Sequence, residues 1–510
     1  MSAPAQVVVG LDVGTTGVKA AAFAPGAAWR TVAIREYPLL QPAPDRQVQD
    51  PAAILEASGE ALAECVAAAG GAEVLAISVS AGMHGLMALD ADLRPLTPLI
   101  TWADARARGE ARELRRSAEG AALHARTGVP VHPMSPLTKL MWFGRHDPQT
   151  LRGARWWVGL KELVLAWLTG APAGELSSAS GTGLIDMATR AWSPEAIALA
   201  GVSEHQLPEI LSTTAALSLA RATAARVGLP EGTPVVTGAA DGPLGNLGTG
   251  ALAPGVAGLS LGTSGALRMA VDEPRVDAGG CLFCYALTDA IWVAGGAISN
   301  GGGVLRWAGR SLAPDVEAAG GDAAVLELAA SVPAGSDGLV MLPYLVAERA
   351  PLWDPSLPGA VLGLRREHTR AHLVRAALEG VCLQLRAILD SLAGIAPVTA
   401  VRATGGGLRS RLWGEMLAAV LDRPLSVVGD AEGTALGAAA LGLVGIGRAA
   451  SPAEAMAELA DPSAPAPAPV VCAPELVATY ERLRASIPEL LGALEPVASL
   501  ARRAEPNQAT

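Results

Sequence analysis

Apolar residues along this chain fall in short runs broken by glycine-rich turns, and the first run sets the pattern. "VVVGLDVGTTGVKAAAF" (residues 7–23) is apolar up to Val13, breaks at Gly14, Thr15 and Thr16, and turns apolar again after Gly17. No amphipathic helix pattern follows the break, so the stretch predicts strand, tight turn, strand. A phosphate loop of the G-x-x-x-x-G-K-[ST] kind needs a helix there and a glycine before its lysine. Here Lys19 follows Val18. The pattern returns half a chain later, where "GLSLGTSGALRMAV" (258–271) repeats "GLDVGTTGVKAAAF" (10–23) in kind. Each copy opens a region of alternating strands and helical runs. Together they predict a duplicated α/β architecture, with one hairpin in each half and both turns open to one ligand.

Within the first half, "VLAISVSAGMHGLMALDADLRPLTPLITW" (74–102) reads as strand, loop, strand, a turn at Ala91-Asp92, and a short strand. "RWWVGLKELVLAWLTG" (155–170) reads as an amphipathic helix ended by Gly170. In the second half, residues 369–394 form a long amphipathic helix, and "VTAVRATGGGLRSRLWGEMLAAVL" (398–421) is strand, glycine turn, helix. Such a turn offers free N–H groups and close backbone approach at a helix N-terminus, a seat for a phosphate or nucleoside. "DPSAPAPAPVV" (461–471) is a Pro/Ala linker, a last helix follows from Pro474, and the tail from Arg502 is expected to be disordered. The division is therefore 1–250, 251–460, and a linker, helix and tail over 461–510.

Composition fits this picture. A chain of 510 residues, 51% hydrophobic and 17% charged, is too long for one core and well able to bury two. Its net charge of −11 argues against a nucleic-acid or anionic-membrane partner. "MSAPAQ" has no leader character, and the longest apolar stretch (433–447) falls short of the ~20 residues that span a bilayer. Its small residues suit a buried helix packed closely on a sheet. Five cysteines in so long a chain make no disulfide framework, and a reducing cytoplasm is the expectation. Cys281 and Cys284 form a lone CxxC without further zinc ligands, and read as a buried strand. His368 and His372, spaced i, i+4 with no HExxH around them, read as an exposed first helical turn.

Two Gly-Thr hairpins and a strand–glycine–helix turn suggest ATP held between two lobes, with backbone amides and threonine hydroxyls in place of a Walker lysine. Such a site needs one acid to organise Mg²⁺ and one to accept a proton from an incoming hydroxyl. Asp12 ends the first strand, and Asp241, in "VVTGAADGPLGNLG", is expected at the end of an apolar strand just upstream of the second hairpin. Acids at strand ends point into the crevice where α/β proteins bind ligands, and magnesium takes carboxylate oxygens and waters. Either aspartate alone could be a turn-former; the pair, each just upstream of a hairpin, argues for chemistry.

The stretches "GLDVGTTGVKA", "SVSAGMHGLMALD", "ITWADARA", "GAADGPLGNLG", "SLGTSGALR", "NGGGVLRW", "PYLVAERAPLWDP" and "ATGGGLRSRLW" resemble, in order and spacing, the FGGY carbohydrate kinases of the actin-like ATPase superfamily. The resemblance covers nearly the whole chain. It implies duplicated actin-like (ribonuclease H-like) ATPase domains around a central cleft. Residues 126–143, "ITWADARA" and "CYALTDAIWVAGGAISNGGGVLRW" look most like the gluconokinases of the family. A xylulokinase is expected to show Q-M-H-G where this chain has Ala81-Gly82 before Met83, and Asn where it has Ala103.

By that resemblance Asp241 is the general base on the sugar's primary hydroxyl, and Asp12 and Asp241 hold Mg²⁺, partly through water. Gly14, Thr15, Thr16 and Lys19 would meet the ATP phosphates from one side, Gly262 and Thr263 from the other. Gly405, Gly406 and Gly407 would take the nucleoside end, and Gly302 begins a helix near the nucleotide. Met83, His84, Trp102, Asp104, His132, Met134 and Asn300 fall on substrate loops. A gluconate carboxylate needs donors, for which His84, His132 and Lys139 come forward. Sister kinases with neutral substrates carry a lysine near the position of Lys139, which reads as structural. Trp102 could simply be core, and its place beside Asp104 in a loop-like run is what lifts it. Glu379 reads as structural, and Glu432 as the N-terminal dipole partner of an apolar helix. A gluconokinase is the first expectation, a xylulokinase or other polyol or sugar-acid kinase the second. A catalytically dead nucleotide sensor, which has no use for a base, is the third. A homodimer is common in the family.

Overall fold

The computed structural model describes residues 4–346, 348–429, 433–461, 463, 467, 469–470 and 472–504. Its frame is two mixed sheets. The first holds β1 (Gln6–Val13), β2 (Gly17–Phe23), β3 (Arg30–Glu36), β4 (Glu73–Ala81), β5 (Ala216–Ser218) and β6 (Pro234–Val236), in the order β5-β6-β4-β1-β2-β3. The second holds β7 (Val256–Leu261), β8 (Gly265–Val271), β9 (Phe283–Ala286), β10 (Trp292–Ile298), β11 (Ala400–Thr404), β12 (Leu425–Val427) and β13 (Pro469–Val470), in the order β9-β10-β8-β7-β11-β12-β13.

The two sheets share a design. β1 pairs antiparallel with β2 and parallel with β4, and β7 pairs antiparallel with β8 and parallel with β11. On the outside β3 and β10 continue antiparallel, while β6 and β12 continue parallel. The repeat seen in the sequence is thus a repeat of topology. The central strands β1 and β7 are mostly buried on both faces, as strands covered on both sides must be.

Seven helices matter to the site: α1 (Leu160–Thr169), α2 (Asp241–Gly248), α3 (Gly303–Leu312), α4 (Arg370–Ala393), α5 (Arg411–Leu421), α6 (Gly433–Gly445) and α7 (Pro474–Ala504). α6 comes from the second half of the chain but packs on β1 of the first. A β-carbon added at Gly10 would lie 1.9 Å from the Ala435 carbonyl oxygen, so only glycine permits this approach. α2 packs beside α6, and Leu244 and Leu247 join Val8, Ala435 and Leu441 in one buried cluster. The helices after each half therefore meet between the sheets.

Four expectations change. Residues 155–170 are not one helix: Trp156–Val158 form a strand paired antiparallel with Met87–Leu89, and α1 begins only after Gly159, whose N–H donates to the Glu162 carboxylate at 2.8 Å. Asp241 is not at a strand end; β6 stops at Val236, and Asp241 is the first residue of α2. The stretch read as a linker contributes β13, which pairs with β12 on the edge of the second sheet. α7 runs to Ala504, past the point where a tail was expected. Glu432, much of the segment 461–471 and residues 505–510 lie outside the described residues.

Candidate active site

A cleft of about 300 Å³ opens between the halves, walled by Thr15, Met83 and Asp241 from the first and by Gly262, Arg268 and Tyr285 from the second. One acid, Asp241, lines it, and a second, Asp12, lies near enough to raise the pKa of the first. Asp12 lies opposite Lys19 on β2 and Ser80 on β4, and Ser80 Oγ donates to its Oδ1 at 2.8 Å. Burial pushes the Asp12 carboxyl above its ordinary value; Ser80, Lys19 and Lys161 pull the other way. Asp241 is carried here by Ala240, which bridges in parallel to Ala81 at the end of β4. Burial, then the neighbouring Asp12 charge, push the Asp241 carboxyl up to about 6; Arg268 and the N–H groups of Gly242 and Met83 oppose them. A carboxylate so placed is ionised at neutral pH and close enough to it to take and release a proton.

Lys161 supports both acids from beneath. Its ammonium donates to the carbonyls of Val79, Thr237 and Ala239, tying β4 to the segment that leads into Asp241. The side chain is 1% exposed, and burial pushes its pKa down to about 8.

The first hairpin is braced at its tip. Gly14 N–H donates to Gly17 O at 2.9 Å, Gln49 Nε2 to Thr15 O at 2.6 Å, and the Tyr37 hydroxyl to Gly14 O. Trp102 Nε1 donates to Thr15 Oγ1 at 3.0 Å, which joins a substrate loop to the phosphate hairpin and gives Trp102 more than a core role. Thr16 is exposed. The second hairpin abuts α3: the N–H of Gly302 donates to Gly262 O at 2.7 Å and that of Gly303 to Thr263 O at 2.9 Å, while Arg306 holds Thr263 Oγ1 at 2.6 Å. The Gly302 amide is thus spent within the protein.

A second cavity of about 590 Å³ lies between the halves, bordered by Trp29 and Gly248 on one side and by Gly405, Arg409 and Gly429 on the other. Gly405 has φ +139°, and a β-carbon there would lie 2.1 Å from Leu261 O. Gly406 has open space beside it, and Gly407 backs onto the Trp413 ring.

The substrate-loop candidates divide. Met83, His84, Trp102 and Met134 line the cleft. Asp104 is 1% exposed and holds Arg106 through two bonds of 2.8 and 2.9 Å, besides the Gln47 N–H. Asn300 is likewise committed: Nδ2 donates to Val346 O and Glu348, and Oδ1 accepts the N–H groups of Leu345 and Val346. Both side chains shape loops and leave no face for a sugar. His132 is buried behind the wall, its Nδ1 accepting the Met134 N–H at 3.2 Å. Lys139 is fully buried, donating to His84 O at 2.6 Å and Thr101 O at 2.8 Å. Glu379 accepts from Gly335, Ser336, Arg375 and Tyr480, as a structural acid does. Cys284 sits buried in β9, and His372 caps the start of α4 through Thr369.

Among the cleft residues that escaped sequence reasoning, Arg268, Arg349 and Tyr285 bear the chemistry. Arg268 had a signal, a lone charge inside the apolar run "GALRMAV". Arg349 and Tyr285 lay within the family-like stretches "PYLVAERAPLWDP" and "CYALTDAIWV", but only the fold shows that these side chains reach the cleft.

Among the described residues no helix is long and apolar enough to cross a membrane. The model of the FGGY family of carbohydrate kinases, N-terminal domain, matches residues 7–248, and that of the C-terminal domain matches residues 257–446. The gluconokinase of Bacillus subtilis is 37% identical over 450 residues, covering 86% of this chain and 88% of that one. The xylulose kinase of the same organism is 30% identical over 449 residues, covering 87% and 89%. The crystal structure of gluconate kinase from Lactobacillus acidophilus superposes with a TM-score of 0.90 at 30% identity, covering 96% of this chain and 98% of that one. With the duplicated sheets, the two facing hairpins and the acids between them, these likenesses span both halves: the chain belongs to the FGGY family of carbohydrate kinases.

Proposed function

We propose that the enzyme transfers the γ-phosphoryl group of ATP to the terminal hydroxyl of D-gluconate, giving 6-phospho-D-gluconate and ADP. The observation that carries the reaction is Asp241, a carboxylate poised near pH 6 on the floor of a cleft that both hairpins face. Asp241 accepts the proton of the sugar's hydroxyl while that oxygen bonds to the γ-phosphorus and the bond from phosphorus to the ADP oxygen breaks. The hairpins at Gly14–Thr16 and Gly262–Thr263 bracket the phosphates, and the cavity beside Gly405 suits the nucleoside.

Asp12 and Asp241 fit Mg²⁺: two neighbouring carboxylates raise one another's affinity for a positive charge. Among the described residues no cluster of three or more ligating side chains exists, which suits an ion that keeps several waters and phosphate oxygens. When bound, magnesium would neutralise phosphate charge. A sensor has no need of Asp241.

The substrate reading rests on the 37% identity to a gluconokinase against 30% to a xylulose kinase. Xylulose is the second reading, because a ligand-bound xylulose kinase from Lactobacillus acidophilus superposes with the same TM-score of 0.90. Coupled ADP-release assays on both substrates decide between them. A higher kcat/KM on D-xylulose would sink the gluconate assignment and leave the kinase chemistry standing.

A further inference from the structure

A carboxylate entering a buried cleft needs a cationic partner or several donors. Neither histidine supplies the charge. Burial pushes His84 down to about 3 and holds His132 well below its ordinary value, so both imidazoles are neutral. Lys139 is already spent on two carbonyls. Among the described residues that line the cleft, the cations are Arg268 and Arg349.

Arg349 is largely held: Nε donates to Ser299 Oγ at 3.2 Å, Nη2 to Ile298 O at 3.0 Å, and the guanidinium lies 4.8 Å over the Trp102 ring. Arg268 is less committed. Nη1 donates to Ser260 Oγ at 3.2 Å, but Nε is buried with no hydrogen-bond partner. The Tyr285 hydroxyl is also buried without a partner, on a side chain 2% exposed. A buried polar group left unmatched costs about 1–3 kcal/mol, so two of them on one wall point to something that satisfies them.

Their position suits one end of a sugar acid. Ala266 and Arg268 line the cleft from the same face of β8, and Arg268 stands three residues past the hairpin, roughly 10 Å at about 3.3 Å per residue. Arg268 is near enough to Asp241 to act on its carboxyl, and its Nε and Nη2 face the next residue, Gly242, so a six-carbon acid with its terminal hydroxyl at Asp241 can bring its carboxylate to this guanidinium. Small residues keep the path open. A β-carbon at Gly242 would come within 3.8 Å of Arg268 Nε and Nη2, so any longer side chain there would cover the guanidinium.

We propose that Arg268 and Tyr285, with Arg349 adding charge from the side, form a carboxylate subsite that selects sugar acids over neutral sugars. The proposal rests on the reading of this cleft as the phosphoryl-acceptor site. Arg268 donates to the carboxylate through its fork, and the Tyr285 O–H donates alongside.

The alternative role for Arg268 is that of a partner to Asp241 alone. Steady-state kinetics and calorimetric titration of Arg268→Gln and Tyr285→Phe, with D-gluconate and D-xylulose, separate the two. For Arg268→Gln, KM and Kd for gluconate should rise about 100-fold, and the gluconate-to-xylulose ratio of kcat/KM should collapse by a similar factor. Tyr285→Phe should move the same ratio about 10-fold. Equal losses on both substrates, with the acid limb of the pH profile moved upward, would overturn the subsite. Should Arg268→Gln fail to fold by circular dichroism, Tyr285→Phe and a thermal-shift panel on the wild-type enzyme decide. In that panel, sugar acids of four to six carbons should stabilise far more than the neutral polyols of equal length. Stabilisation by acids without phosphorylation of gluconate would remove the gluconate assignment and keep the subsite; equal stabilisation by both classes would remove the subsite.

Discussion

Asp241→Asn tests the centre of the mechanism twice, through rate and through stability. Asparagine keeps the size of the side chain and its hydrogen bonds to a sugar hydroxyl but cannot take the proton. General-base catalysis is worth roughly 10²–10⁴-fold, so kcat should fall by that factor, about 3–5 kcal/mol of barrier. KM for the sugar should move little, since the ground-state contacts remain. The wild-type kcat/KM should fall about tenfold per pH unit below about 6, where the free enzyme's carboxylate takes up its proton, and the variant should lack that limb. The stability arm follows from the same shift. The acid's pKa rises from 3.8 unfolded to about 6 folded, so the native state is favoured while the group is protonated, below pH 3.8. That advantage is lost as pH rises through about 6. At pH 8 the wild type carries the full penalty of a charged, crowded carboxylate, at most about 3 kcal/mol for a shift of this size. Asp241 keeps some contact with solvent, and asparagine deprives Arg268 of a counter-charge, which together reduce the expected gain to about 1 kcal/mol. The variant should therefore melt higher relative to wild type at pH 8 than at pH 5 in scanning calorimetry. A residue that merely begins a helix would accept asparagine without loss of turnover, because Ala240 holds the cap position and only a charge–dipole contact of about 0.3–1 kcal/mol is given up. Near-wild-type turnover by the folded variant would mean that the base lies elsewhere.

Asp12→Asn should behave differently: it weakens the proposed Mg²⁺ seat, so part of its kcat defect should be relieved in a magnesium titration, whereas the Asp241→Asn defect should not. A defect that is flat across millimolar magnesium would count against Asp12 as a metal partner. Gly10→Ala tests the fold rather than the chemistry. The new methyl would meet the Ala435 carbonyl at 1.9 Å, so α6 must move, at a cost of about 1–3 kcal/mol or more. An unchanged thermal midpoint would refute the close seating of α6 on β1.

The hairpins and the duplication were legible because they are local: a strand, a G-T-[TS]-G turn and a strand are written in fewer than twenty consecutive residues. Asp12 could be placed for the same reason. Asp241 was chosen as a residue but put on the wrong element, because the apolar run before it suggested a longer strand than β6, which ends at Val236. The stretch 155–170 misled in a related way. Trp156–Val158 fit a helical pattern as well as a strand, and the decision falls to Met87–Leu89, some seventy residues away, which offers a free edge. Asp104 and Asn300 were found as motif residues, but motif membership does not say whether a side chain faces the ligand or its own loop. Their partners, Arg106 and Glu348, settle that only in three dimensions.

The duplication also says where to look for what differs. Aligned on their hairpins, Asp12 of β1 corresponds to Ser260 of β7, each two residues before the glycine that opens its turn. One seat carries the charge that pushes Asp241 upward; the other carries a neutral hydroxyl that accepts a hydrogen bond from Arg268. The same comparison sets Lys19 against Leu267 and Ala20 against Arg268. In the first half the cation lies opposite Asp12, beside the phosphate hairpin. In the second it stands one residue further along the strand, on the face that lines the sugar cleft. The second hairpin is one residue tighter, Leu261 pairing with Gly265 where Val13 pairs with Val18, so the one-residue step leaves Arg268 on the face that corresponds to that of Lys19. Two copies of one frame therefore set their cations at different depths through the length of the turn: Lys19 lies opposite Asp12, while Arg268 lies opposite Gly258, two residues further from the hairpin than Ser260.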